Sequence, residues 1–325
     1  MSGLEVWITP IGKSLGANSI ETAKLFEKFG PVLPDKVAKV GFTTVYRHVV
    51  PNTLTGLASS AVPSESLSWL RDNCDAMVFV SSSDSSVTPG AGNFVHRELG
   101  LSANCQVINV NDACTGFQRA LDIASSLVSS ELAHNILVLT ADVYSHFFDD
   151  ANIAVSTLFS DGAASVLVSK SRPQIDSALA PKLLTAVSRK RITRTDLAEI
   201  LRIQIKSKED DPKTGLVMQG GSVYSFVMTH AEEVITAIRR PAEETHQHWV
   251  LHQGSRLVVD SVSSLIGEHD LDLFRAAHYG NVVGSSLPFQ FFDIWDDTQD
   301  GHSLCLLSFG VGMSIAGATY EVKSL

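Results

Sequence analysis

Three residues have the types and settings to do covalent chemistry together: Cys114, His252 and Asn281. Cys114 lies in Asn109–Phe117 (NVNDACTGF), behind the β-rich run Gln106–Val110 and ahead of Phe117, Ala120, Leu121, Ala124, Leu127 and Val128 at helical spacing. A thiol at a strand-to-helix turn faces unpaired N–H groups and the positive helix end. Both are expected to favour the thiolate and to hold an oxyanion beside the sulfur. A small buried cysteine near a helix cap is the alternative for an isolated D-A-C-T-G-F. His252 ends the short apolar run Trp249–Leu251, and Asn281 stands in the glycine-rich GNVVGSSLP. Singly, each has a structural explanation, as a hydrogen-bonded strand-end histidine or an ordinary Gly-Asn turn. Jointly they offer a nucleophile, an imidazole and a carboxamide donor, to which Phe309–Gly312 (FGVG) adds unobstructed backbone N–H groups.

The elements that must position them alternate in type. Leu4–Ile8, Asp75–Ser83, Asn135–Thr140, Ser165–Val168, Trp249–His252, Leu304–Phe309 and Ser314–Val322 read as strands. Ile20–Phe29, a segment within Thr53–Leu70 interrupted near Pro63, Asn93–Leu99, Val223–Arg239 and Arg256–Ile266 read as helices. The loop 87–92 (VTPGAG) and the Asp161-Gly162 turn punctuate the first half. Between about 170 and 217 the pattern weakens, with Pro173, Pro181, Pro212 and many charges, as for a crossover carrying a mobile cap. Alternation of this kind implies an α/β sandwich with mostly parallel sheets in two similar halves, divided here as 1–170 and 171–325.

Composition narrows the class. The chain has 325 residues, 44% hydrophobic and 18% charged, enough for a large core. A net charge of −10 argues against general nucleic-acid binding. No apolar run approaches the roughly 18 residues of a membrane span, and the N-terminal stretch lacks a signal-peptide layout. Four cysteines without a CxxC suggest neither a disulfide framework nor a zinc site, so a cytoplasmic location is expected. His246, His248 and His252 have ligand-like spacing, but His246 and His248 follow Glu243 and Glu244 at a polar junction, and a surface turn explains them better than a metal. The papain-type C-G-S-C-W signature is absent, Gly312–Ala316 lacks the last glycine of a serine-hydrolase elbow, and no P-loop or dinucleotide fingerprint occurs. Eight of the 25 Lys and Arg fall between Lys182 and Lys208. Arg189, Lys190, Arg191 and Arg194 among them are a candidate docking patch for an anionic partner, against the commoner reading of a solvated face.

The elbow, H-Q-x-x at His252, G-N-x-x-x-x-S-x-P at Gly280 and F-G-x-G at Phe309, in this order, resemble the thiolase-fold condensing enzymes, most of all β-ketoacyl–acyl-carrier-protein synthase III. Phe159–Ala163 and Met218–Gly220 match further motifs of that family, and the likeness runs from about residue 75 to the end. The resemblance implies two thiolase-type α/β halves in a layered αβαβα sandwich, usually as a homodimer. It implies that Cys114 carries an acyl group, with the N–H groups of Cys114 and Val311 as oxyanion hole. His252 and Asn281 would hold the enolate left when a malonyl-type thioester loses carbon dioxide. The expected partners are an acyl carrier protein or acyl-coenzyme A donor and the malonyl-type extender, with no cofactor and no metal. Phe159, Met218, Gly221, Tyr224 and Ser255 are the expected pocket residues, and Thr88 the residue offered to the partner's acyl pocket. Departures are visible too. No tryptophan lies between Trp7 and Trp69, Arg47 comes later than the family's adenine-clamping arginine, and Ser255 replaces a common asparagine. An aromatic–guanidinium clamp is worth roughly 0.5–2 kcal/mol, so a coenzyme A-linked primer is disfavoured. A specialised relative in fatty-acid, polyketide or other secondary metabolism is expected. The alternatives are acyl transfer to oxygen or nitrogen without decarboxylation, with His252 as general base, and a non-catalytic partner of a heterodimeric synthase.

Overall fold

Alternating residues of the apolar strands face opposite helical layers, and this double burial organises the molecule. A computed structural model describes residues 4–28, 34–48, 54–86, 88–149, 152–204, 215–267 and 272–323. The strands are β1 (Glu5–Leu15), β2 (Asn18–Glu21), β3 (Thr44–Arg47), β4 (Ala76–Val80), β5 (Gln106–Val110), β6 (Asn135–Asp142), β7 (Gly162–Ser169), β8 (Lys182–Thr193), β9 (Leu201–Gln204), β10 (Gly215–Met218), β11 (Gln247–Leu251), β12 (Ser303–Gly310) and β13 (Ser314–Lys323). Nine of them form one sheet in the order β11-β12-β13-β8-β1-β7-β6-β4-β5. The short pairs β2–β3 and β9–β10 stand apart.

The layers follow from strand periodicity. In β4 and β6, Val78, Val80, Ile136 and Val138 pack on a central layer made by the helices Gly116–Ser129 and Ser286–Ile294. Their neighbours Met77, Phe79, Leu137 and Leu139 face an outer layer containing the helices Leu54–Ser60 and Ala91–Leu99. At the other end, Leu304 and Leu306 of β12 join the same central layer. Cys305 and Leu307 face the helices Gly220–Ile238 and Arg256–Ile266. Phe117 and Phe291 meet edge to face at 5.6 Å between the two central helices. The one continuous sheet thus packs both of its ends on the central helices, with outer helices beyond each end, which gives the αβαβα order that the resemblance implies.

Three expectations are corrected. The sheet is mostly antiparallel: β4–β5, β4–β6 and β11–β12 are parallel, whereas β1–β7, β1–β8, β6–β7, β12–β13 and β8–β13 are antiparallel. Residues 170–217 are not simply a weakly structured crossover, since Lys182–Thr193 is a long strand pairing with both β1 and β13. Its polar side is only half covered, so no apolar alternation announces it. Ile20–Phe29 begins as strand β2 and turns helical only at Thr22–Glu27. Phe29, Thr53, Val87, Lys206, Lys208 and Pro212 lie outside the described residues.

Candidate active site

Cys114 is presented by a strained turn. Asp112 leads into a single 3-10 turn, Ala113–Thr115, where Ala113 has φ +38°, and the helix Gly116–Ser129 follows at once. L-residues enter the left-handed region only where surroundings force them, commonly at functional sites. Here the surroundings are ionic: the Asp112 carboxylate accepts from Thr115 Oγ1 (3.1 Å), Arg119 Nε (2.8 Å) and Arg191 Nη1 (3.2 Å). The second half repeats the device. Val283, at φ +53°, opens the 3-10 turn Val283–Ser285, and the other central helix follows. Gly284 N–H donates to the buried Asp142 carboxylate at 3.2 Å, which also accepts from Ser82 N–H at 2.8 Å.

Asn281 is stitched across the molecule. Its N–H donates to Leu158 O at 2.9 Å and its carbonyl accepts from Ser160 N–H at 2.8 Å, so Phe159 and Asn281 pair as an isolated bridge. Gly280 must be glycine, because φ is +75° and an added Cβ would collide with Ser160 Oγ. The Asn281 Oδ1 accepts from Val283 N–H at 2.9 Å. An N–H can meet only the oxygen of the carboxamide, so the NH2 group is left to donate elsewhere. His252 leaves β11 with its N–H on Leu307 O at 2.8 Å, and its ring stands edge to face on Phe309 at 4.9 Å. Its buried Nδ1 has no partner among the described residues, so no carboxylate orients it as in a hydrolase triad.

Cys114, His252 and Asn281 line one cavity of about 230 Å³. Phe159, Met218, Tyr224 and Ser255 line it as well, Ser255 also capping the helix Arg256–Ile266 through Val258 N–H. Gly310 closes against the nucleophile, for an added Cβ would lie 2.8 Å from Cys114 Cβ and 3.2 Å from its Sγ. Val311 follows it directly, and Gly312 takes φ +114° in the turn to β13. Gly221 is not on this wall. Its neighbour Gly220 lines the cavity, and one helical step of about 100° carries Gly221 round to a separate groove with Arg194 and Phe226. Thr88 is exposed and lines no wall of this cavity. Lys39, Val40, Leu158, Leu201 and Val223 belong to a mainly apolar lining that sequence reasoning missed. They come from four separate segments, and only the helical stripe around Val223 carried a signal.

The electrostatics differ from the sequence expectation. Burial, with the Asp142 and Asp112 carboxylates, pushes the Cys114 thiol well above its usual range, outweighing its own backbone N–H. Burial also pushes His252 down to about 3, so the ring is neutral at physiological pH rather than poised near 6.5. The four cations of the candidate docking patch each have an acidic partner: Arg189 with Asp122 (3.0 Å), Lys190 with Glu233 (2.6 Å), Arg191 with Asp112 (3.2 Å) and Arg194 with Asp196 (2.6 Å). Arg191 thereby secures the elbow. Arg47 is likewise engaged, donating to Phe159 O and Ser156 O at 2.6 Å each and stacking on Phe148 at 5.0 Å. No group of three or more His, Cys, Asp or Glu among the described residues could hold a metal ion. No described helix is long and apolar enough to cross a membrane.

Known proteins share this architecture. The family model for 3-oxoacyl-[acyl-carrier-protein] synthase III matches residues 108–183, a stretch holding Cys114 but neither His252 nor Asn281. The synthase III of Oenococcus oeni is 26% identical over 85% of this chain and 87% of its own. The synthase III structure from Pseudomonas aeruginosa superposes with a TM-score of 0.80 at 22% identity, covering 99% of both chains. The chain is a thiolase-fold protein resembling synthase III. The fold is not confined to that enzyme: the priming β-ketosynthase of the R1128 polyketide pathway also superposes, with a TM-score of 0.78 at 19% identity over 99% of this chain and 96% of its own.

Proposed function

We propose that the protein is a condensing acyltransferase that loads an acyl group on Cys114 and joins it to a malonyl-type thioester with loss of carbon dioxide. The observation that carries this reading is the convergence of Cys114, His252 and Asn281 on one apolar cavity, with the Asn281 NH2 left to donate. The Cys114 sulfur, which lines the cavity, attacks the acyl thioester carbonyl, and its proton is handed to the sulfur of the departing donor. The N–H groups of Cys114 and Val311 hold the tetrahedral oxyanion until the donor thiol leaves with a proton. The malonyl-type thioester then loses carbon dioxide. His252 and Asn281 donate to its thioester oxygen, where the enolate charge develops. The enolate carbon attacks the Cys114 thioester, the carbon–sulfur bond breaks to release the β-ketoacyl product, and the Cys114 thiolate takes a proton from solvent.

A depressed His252 suits this role better than general-base acyl transfer to oxygen or nitrogen, because a neutral donor stabilises the enolate without protonating its carbon. The presence of Cys114 itself weighs against a non-catalytic partner subunit. An acyl carrier protein is the favoured donor: Arg47, the residue nearest in sequence to the family's adenine clamp, is occupied by the Phe159 turn. The two proposed halves, 1–170 and 171–325, share the site, the second contributing His252 and Asn281. A homodimer is proposed through β5, whose outer edge is unpaired among the described residues and carries the half-buried Val107, Ile108 and Val110. Intact-protein mass spectrometry after incubation with acyl-carrier-protein and acyl-coenzyme A donors tests the loading step. The expected result is one acyl adduct, absent from Cys114→Ala; an adduct that survives this substitution overturns the assignment.

A further inference from the structure

Two buried cysteines that the proposed chemistry does not use lie side by side. Cys74 ends the helix Ser64–Asn73, its N–H on Leu70 O at 2.9 Å, and leads into β4. Cys105 follows the exposed turn Ala103–Asn104 and leads into β5, its N–H on Ser102 O at 2.9 Å. The two backbones are tied beside the pair, where Gln106 N–H donates to Asp75 O at 2.9 Å and Ala76 sits opposite Gln106 in the parallel register. Their sulfurs are 3.8 Å apart, in van der Waals contact, and all four cysteines of the chain are free thiols. The Cys305 sulfur hydrogen-bonds with Gln247 and Thr319 instead, and Cys74–Cys105 is the one thiol–thiol hydrogen bond among the described residues.

We propose that Cys74 and Cys105 are a modification site that closes to a reversible disulfide when a hydroperoxide reaches it. The two thiols differ in the sense such a pair requires. The hydrogen bond to Cys105 and burial push Cys74 well up, whereas the same contact holds Cys105 below the usual thiol range. Cys105 is also the member flanked by exposed residues, Asn104 and Gln106. Its thiolate attacks the O–O bond, taking one oxygen as sulfenic acid while the alcohol, or water from hydrogen peroxide, leaves. The Cys74 thiol then attacks that sulfur; the S–S bond forms and water departs, so the peroxide takes up the two electrons. Both cysteines sit at the N-terminal ends of β4 and β5, whereas Cys114 follows the C-terminal end of β5. The cross-link therefore ties the proposed dimer strand to its neighbour without entering the cavity. Cys114 is as buried as the pair, but its thiol is held protonated and is the slower one toward oxidant.

The test exposes the reduced full-length protein to hydrogen peroxide and maps thiols by mass spectrometry. Cleavage at arginine puts Cys74 in residues 72–97 and both Cys105 and Cys114 in residues 98–119, so the map is repeated on Cys114→Ala. The expected result is a loss of two thiols, a cross-linked 72–97/98–119 pair that persists in Cys114→Ala, and full reversal by dithiothreitol with acyl loading retained. Irreversible oxidation of Cys105 alone, or a cross-link that needs Cys114, overturns the proposal. Neither outcome bears on condensation, which is read separately by the acyl adduct.

Discussion

His252 is the residue whose protonation bears most on the proposed reaction. Burial lowers its folded pKa to about 3, against about 6.5 when exposed. Above pH 6.5 both folded and unfolded chains hold it neutral. Between there and pH 3 only the unfolded chain takes up the proton, so the folded state loses stability as pH falls. Denaturant unfolding at pH 7 and pH 5 should therefore show the wild type losing more stability than His252→Asn. Parallel losses would mean that the imidazole is solvated in the folded protein. Asp142 contributes in the opposite sense, since burial raises it to about 6, and it is common to both proteins in that comparison. At this scale the sequence was most legible. A cysteine before a helical stripe, a histidine ending an apolar strand and an asparagine in a glycine-rich loop are local patterns. The thiol's protonation was not, because Asp142 and Asp112 act on it through the fold.

At the scale of elements, the proposed chemistry rests on two turns that mirror one another, Ala113–Thr115 and Val283–Ser285, each placing a positive-φ residue ahead of a central helix. The elbow is pressed from the other side by Gly310, where no side chain fits. Gly310→Ala is expected to fold with its sheet intact yet lose at least ~10-fold in acyl loading, since a displacement near 1 Å can cost about 10²-fold. Far-ultraviolet circular dichroism with the loading assay checks this, and unchanged loading would show that the turn yields. Strand β8 shows why some elements were illegible. Arg189, Lys190 and Arg191 read as a docking patch or a solvated face, yet they lie on a strand, Arg189 and Arg191 on one side and Lys190 on the other, with their charges matched by Asp122, Asp112 and Glu233. The same matching changes what Arg191 is for: substituting it would loosen Asp112 and the elbow as well as any docking surface.

For the whole molecule, an α/β sandwich was readable from apolar strands alternating with amphipathic helices and the five layers came from the family resemblance, but strand direction was not readable. Antiparallel returns such as β6–β7 and β8–β13 depend on where long connections cross, and no residue pattern encodes that. The unpaired edge of β5 leads to a prediction about assembly: light scattering should give twice the 35.0 kDa chain mass, and a monomeric mass would remove the proposed interface. Measuring carbon dioxide release from a malonyl thioester by acyl-loaded protein checks the claim that His252 and Asn281 act on the extender and Cys114 on the acyl group. His252→Ala and Asn281→Ala should each still acquire the Cys114 adduct while decarboxylation falls by about 10²–10³-fold, the usual cost of removing one oxyanion donor. Release at the wild-type rate in both variants would contradict the claim.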